Sequence, residues 1–156
     1  MRGGIVSNCT VTANSSGNFG GISAVQSGCI VVNTIIAGNT STSPSAFFNE
    51  AKPEAASWGV GGTANVSMFV NCLVDAAAPN ETCDTADAGD IFKSFANNDY
   101  HLKQGSPAVN AGPRVSQQEA DAAGIDLDGN PRIFGLRMDI GCYELQHAGG
   151  TLLMVR

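Results

Sequence analysis

The sequence predicts an all-β fold, a solenoid of short stacked strands with an irregular C-terminal cap, and two observations carry that prediction. The first is a repeat. Ile5-Val6-Ser7-Asn8-Cys9-Thr10-Val11-Thr12, Ile30-Val31-Val32-Asn33-Thr34-Ile35-Ile36-Ala37 and Met68-Phe69-Val70-Asn71-Cys72-Leu73-Val74-Asp75 align without gaps. Each places one Asn between two β-rich stretches, and a period of about 25 residues from Asn8 to Asn33 suits one coil of a solenoid. The second is composition. Only 14% of the 156 residues are charged, while 43% are apolar and 19 are glycine. Gly and Asn tolerate the left-handed conformations that tight turns between short strands require.

Each element follows from that frame. Short β-branched strands stacked in register bury together an interior that no single coil could bury alone. An Asn recurring at one corner can pass side-chain hydrogen bonds to the coils on either side, which predicts a ladder of Asn8, Asn33 and Asn71. The segment from Gly17 to Ser23 supplies a further strand and turn of the first coil, and the match of Ala13-Asn14 with Gly38-Asn39 marks a second corner. Asn71 follows Asn33 by about 38 residues, so this coil carries an insertion, placed at about 41–58. Pro44 and Pro53 mark it as a loop, with a helical turn able to start at Pro53-Glu54-Ala55-Ala56.

The chain therefore divides into coils over 1–75, a capping region over 76–144 and a tail over 145–156. After Asp75 the repeat is lost, charged residues appear and turn signals crowd together. Short strands are expected at Tyr100-His101-Leu102, Arg132-Ile133-Phe134 and Met138 to Gly141, and a helix over 116–123 with Ser116 as its N-cap and Glu119 in the capping-box position. The stretch Thr151 to Val155 can add a strand to the cap or lead into a sorting segment.

At these residues the chain resembles a known family. Tyr100-His101-Leu102-Lys103-Gln104-Gly105-Ser106-Pro107-Ala108-Val109-Asn110-Ala111-Gly112 is similar to the closing segment of many bacterial β-helix proteins. Asp126-Leu127-Asp128-Gly129-Asn130-Pro131-Arg132 and Asp139-Ile140-Gly141-Cys142-Tyr143-Glu144 resemble the rest of that ending, that of the choice-of-anchor Q type. The chain departs from the pattern at Cys142, where the family usually has Ala, and in the tail beyond Glu144. The resemblance implies a right-handed parallel β-helix of the pectate-lyase-like kind and a bacterial, secreted or cell-surface location. It implies little about activity, since this solenoid serves lyases, hydrolases, adhesins and structural spikes alike.

The absence of charge then bears on function. From Gly3 to Asn49, and again from Gly59 to Val74, there is no Asp, Glu, Lys, Arg or His. Polysaccharide chemistry needs carboxylates and usually a basic residue, so these coils carry no catalytic residues. The expected function is a non-catalytic structural or surface module at the C-terminal end of a longer protein. The alternative is the non-catalytic end of a polysaccharide lyase or glycoside hydrolase whose chemistry lies on upstream coils. A third reading is a carbohydrate-binding surface, with Phe47, Phe48 and Trp58 stacking on a polysaccharide or cell-surface glycan; the same cluster can equally pack the insertion onto its own coil.

Asp126, Asp128 and Asn130 alternate around a Gly turn and could converge on calcium, although the bidentate Glu of an EF-hand loop is missing at the right spacing. The other reading is a turn in which Asp and Asn cap backbone amides while Arg132 pairs with Asp128 or Asp139. The five cysteines, Cys9, Cys29, Cys72, Cys83 and Cys142, show no metal-ligand spacing. They read as buried small apolar residues or as a disulfide, for which Cys72 and Cys83 are the easiest pair to close. His101 and His147 read as structural or solvated.

A net charge of −6 with eight scattered basic residues excludes a nucleic-acid interface, and no apolar run approaches a membrane span. Export would require a signal not present in this sequence. The expected partners are upstream coils of a longer chain, and a first coil left open predicts self-association through the N-terminal face.

Overall fold

The computed structural model describes residues 3–17, 20–24, 27–42, 58–60, 68–75, 78–114, 116, 118, 123–134 and 137–146. Among them the fold is all-β with parallel sheets. The first pass of the chain contributes β1 (Gly4–Ser7), β2 (Thr10–Val11), β3 (Ser15–Ser16) and β4 (Ile22–Ala24). The second contributes β5 (Cys29–Val32), β6 (Ile35–Ile36), β7 (Thr40–Ser41) and β8 (Trp58–Val60). The third contributes β9 (Phe69–Val70) and β10 (Leu73–Val74), followed by β11 (Asp84–Thr85). Strands at like positions pair in parallel, in the orders β1-β5-β9, β2-β6-β10-β11, β3-β7 and β4-β8.

The register is the sequence repeat made physical. Ile5 pairs with Ile30, Thr10 with Ile35 and Ser15 with Thr40. Val31 then pairs with Phe69 and Ile35 with Leu73 across the longer pass. Side chains alternate between faces along each strand, so each in-register pair stacks like on like. Cys29, Val31 and Phe69 turn inward and are fully buried, whereas Ile5, Ile30 and Val70 turn outward and are 69%, 42% and 40% exposed. The inward residues join Ile22, Ala24, Ile36, Cys72, Val74 and Cys83 in one cluster. Burying each large aliphatic or aromatic member contributes about 1.5–3 kcal/mol.

The insertion is shorter at both ends than its expected bounds. Ser41 belongs to β7 opposite Ser16, and Trp58 opens β8 opposite Ile22, because both positions continue the parallel register of the first pass. The intervening 43–57, with the helical turn expected from Pro53, lie outside the described residues, as does the tail from 147 onward.

The region expected to cap the coils divides into two parts with different work. Ala78 to Cys83 crosses the end of the last pass, where the Asn80 amide donates to the Phe69 carbonyl (2.7 Å) and the Thr82 hydroxyl accepts from the Asn71 amide (3.4 Å). After β11 the chain instead builds a layer against the outer face of the β2-β6-β10-β11 sheet. The sheet's central strands β6 and β10 are buried on both faces: Ile36 and Val74 point into the inner cluster, Ile35 and Leu73 into a second one with Ile91, Phe92, Leu102, Ala108 and Ile140. The layer comprises α1 (Ala88–Ile91), β12 (Phe92–Ser94) and β13 (Asp99–Leu102), the last two antiparallel. It then runs back as far as the first pass, where the Cys142 amide donates to the Thr10 hydroxyl (3.2 Å).

Two local readings differ from expectation. Ala88-Gly89-Asp90 forms the single turn of α1 where a turn signal alone was legible, since one helical turn with a central Gly has no periodicity to detect. The strands expected at Arg132–Phe134 and Met138–Gly141 meet only in an isolated Ile133–Met138 bridge, because side chains take over the backbone partners there. Of the helix expected over 116–123, only residues 116, 118 and 123 are described, with Gln118 helical. No described helix is long and apolar enough to cross a membrane.

Candidate functional site

At the first corner of each pass, Asn8, Asn33 and Asn71 adopt left-handed conformations, with φ of 50°, 47° and 51°. Their amides form a chain: Asn33 Nδ2 donates to Asn8 Oδ1 (2.6 Å) and Asn71 Nδ2 to Asn33 Oδ1 (2.9 Å). Asn33 Nδ2 also donates to the Asp139 carbonyl (3.1 Å), which binds the C-terminal layer to the corner. A second pair, Asn14 and Asn39, sits at the next corner, where Asn39 Oδ1 accepts from both the backbone and side-chain nitrogens of Asn14 (3.1 and 3.0 Å). The aligned Gly38-Asn39 and Ala13-Asn14 were the available signal for it.

The densest polar chemistry lies in the layer. Asp126 is buried, and its carboxylate accepts the backbone N–H groups of Asp128 (2.9 Å), Asn130 (2.8 Å) and Glu144 (3.1 Å). Burial alone would raise its pKa, but these donors outweigh burial and hold it below the usual carboxylate range. The three residues considered for calcium thus stand in one loop closed by Asp126, with Gly129 at φ 84° in its turn. Asp128 points away from the other two, toward His101. Arg132 pairs with neither Asp128 nor Asp139 as a carboxylate; its Nη2 donates to the Asp139 carbonyl (3.3 Å) and the Gly141 carbonyl. Asp139 accepts instead from the backbone of Asn110 (2.6 Å) and Leu145 (2.7 Å). Glu144 accepts from the backbone of Phe134 (3.1 Å) and Asp139 (3.0 Å), and burial pushes its carboxyl up to about 7.

His101, read from sequence as structural or solvated, is the centre of the candidate site. It lies on β13 with Nδ1 2.5 Å from Asp99 Oδ1 and Nε2 2.9 Å from Asp128 Oδ2. A neutral imidazole can donate from only one nitrogen, so two ionised carboxylates facing both nitrogens favour the imidazolium. The Asp99 contact first, and Asp128 second, raise the His101 pKa, and the same contact lowers that of Asp99. The ring rests on Tyr143 with centroids 4.4 Å apart. Beside it opens a cleft of about 400 Å³ walled by His101, Asp128 and Tyr143 with Lys93, Lys103 and Gln104. Chemically the arrangement ties the 126–130 loop to β13 through one shared charge. An imidazole with both nitrogens engaged offers no free nitrogen to act as a base.

The remaining sequence candidates are not brought to this site. Phe47 and Phe48 lie outside the described residues; Trp58 is in β8, which among the described residues pairs with β4. Among the described residues no group of three or more His, Cys, Asp or Glu is arranged to hold a metal ion. None of the five cysteines is in a disulfide.

No family model, curated protein or solved structure matches this chain.

Proposed function

We propose that this chain is the C-terminal end of a right-handed parallel β-helix of the pectate-lyase-like, choice-of-anchor Q kind, acting as a non-catalytic structural module of a secreted or cell-surface bacterial protein. The observation that carries the reading is the amide chain Asn8–Asn33–Asn71 at one corner of in-register parallel passes. A side chain repeated at one corner gains a partner only when passes stack with a constant register, which is the organising rule of a solenoid. The lack of charge in those passes, and the engagement of both His101 nitrogens by carboxylates, support a scaffold over a catalyst.

The partner in this reading is a preceding pass of the same kind. Among the described residues β1 and β2 are the outer strands of their sheets, each paired on one side only, and Ile5 on β1 is 69% exposed. Open parallel edges of this sort template further strand pairing. The chain by itself is therefore expected to self-associate in sedimentation velocity, and Ile5→Lys, which places a charge on that edge, to shift it toward monomer. A wild-type chain that stays monomeric at high concentration would count against the open edge. Retention of a polysaccharide on a glycan array would favour the carbohydrate-binding alternative.

A further inference from the structure

The inner cluster contains a pair of groups that the scaffold reading leaves unused. Cys72 immediately precedes β10 and Cys83 immediately precedes β11; since Leu73 pairs with Asp84, the two cysteines stand opposite one another on adjoining parallel segments. The Asp84 N–H donates to the Cys72 carbonyl (3.0 Å), fixing the backbones at that point. Both side chains are buried in the same cluster; the Cys72 thiol donates to the Val31 and Val70 carbonyls (3.4 Å each), and Cys83 Sγ lies 3.9 Å from the Thr82 hydroxyl. Adjoining strands lie about 4.8 Å apart, inside the range of about 4.4–6.8 Å between Cα atoms that a disulfide spans.

We propose that Cys72 and Cys83 are a disulfide-forming pair that staples the end-crossing segment 78–83 to the last pass when the protein meets a small-molecule disulfide as oxidant. The roles of the two sulfurs differ. The nearby Cys72 thiol lowers the Cys83 pKa to about 6, while Cys83 and burial raise that of Cys72, so Cys83 is the sulfur that more readily carries the thiolate. The Cys83 thiolate attacks one sulfur of the oxidant, say oxidised glutathione; the oxidant's S–S bond breaks and one glutathione thiolate leaves. With Cys83 now in a mixed disulfide, the neighbouring sulfur is no longer charged, and the influence of Cys83 that raises the Cys72 pKa is gone. Cys72 passes its proton to the departing thiolate, and its sulfur displaces the second glutathione. Two protein thiols are oxidised and one disulfide is reduced to two thiols.

The other cysteines are placed differently. Cys29 lies in the same cluster but opens β5, opposite Gly4. Cys9 and Cys142 are half-buried where the C-terminal layer meets the first pass, and burial raises the Cys142 pKa. Selectivity for the Cys72–Cys83 link is therefore the testable content, and it rests on the β10–β11 register independently of whether further passes precede this chain.

The experiment equilibrates the intact chain in reduced and oxidised glutathione, blocks remaining thiols and maps them by mass spectrometry. Cleavage after Glu81 separates the two cysteines, so a link between the flanking peptides reports the bond directly. The expected result is a loss of two hydrogens, a Cys72–Cys83 link, alkylated Cys9, Cys29 and Cys142, and a Tm about 5–10 °C above that of the reduced chain. Cys83→Ser should abolish the link and the Tm difference together. Full alkylation of both residues under the most oxidising buffer, or a link joining another pair such as Cys9 and Cys142, would overturn the proposal. A Cys72–Cys83 link with no rise in Tm would overturn its role as a staple.

Discussion

The stacked passes and the layer packed beside them solve the same problem, satisfying a buried backbone, by opposite means. In the passes, a backbone group finds its partner at the same position one pass away, and the side chains need only be small, branched and repeated. Ile35 on Leu73 and Ile36 on Val74 illustrate this, with amides of Asn14, Asn39, Asn8, Asn33 and Asn71 closing the corners. In the layer no repeat exists, so carboxylates and a guanidinium take the place of neighbouring strands. Asp126, Asp139, Glu144 and Arg132 are all buried and all bonded to backbone groups. Periodic structure needs little charge, the Asp75 carboxylate that accepts the Gly38 N–H (2.6 Å) being an exception in the passes; aperiodic backbone relies on it, because each unpaired buried donor costs about 1–3 kcal/mol.

The comparison is broken most severely at Asp139. Asp139→Ala leaves the buried Asp139 site empty and removes the acceptor for the part-buried N–H groups of Asn110 and Leu145 at once, and should lower unfolding free energy by about 2–4 kcal/mol in urea titration. A loss under 1 kcal/mol would mean that the layer does not depend on its carboxylates. The passes should respond less, and by position. Asn33→Ala, in the middle of the amide chain and in contact with Asp139, should lose about 2–3 kcal/mol, whereas Asn8→Ala at its end should lose about 1 kcal/mol. Equal losses at the two sites would show that the left-handed backbone, and not the ladder, sets the value.

The smallest effect is expected at the half-exposed His101 clamp, where solvent screens the charges. Its folded pKa is raised above the ordinary value of about 6.5, so its stabilisation is complete below that value and is lost as pH rises through the folded pKa. Glu144 tilts the curve the same way at lower pH. Its carboxyl is protonated in the fold up to about 7 but ionises near 4.5 when unfolded, so stability falls as pH rises across that interval. Below about 3.9 the lowered pKa of Asp99 reverses the slope, and stability falls as pH falls. His101→Asn should flatten the part of the stability–pH profile above about 6.5 while leaving the Glu144 limb in place. An unchanged profile would show that the two carboxylates do not share its charge.

How much was legible differs between the two regions for the same reason that their chemistry does. The spacing of Asn8, Asn33 and Asn71 carried the register and the stacking of like strands, since a repeat writes each contact into the sequence several times. The insertion bounds slipped because Pro44, Pro53 and polar composition mark a loop without marking its ends, and Ser41 and Trp58 show themselves as strand residues through their partners Ser16 and Ile22. His101 was passed over because neither Asp99, two residues away, nor Asp128, on a separate loop, announces a pair along the chain. The alternation of Asp126 and Asp128 suggested converging ligands, yet the turn sends one carboxylate inward to backbone amides and the other outward to the imidazole.

The opening repeat, in the end, determined that strands stack, which residues face each other and where the corners fall, because those follow from period and residue type alone. Only the tertiary structure decided what the rest of the chain does. That the C-terminal region lies along the side of a sheet, burying Ile35 and Leu73 on a second face, depends on contacts without a period. So do the clamp at His101 and the meeting of Cys72 with Cys83. Each is a single encounter between segments brought together by packing, and a single encounter leaves no pattern in a sequence to read.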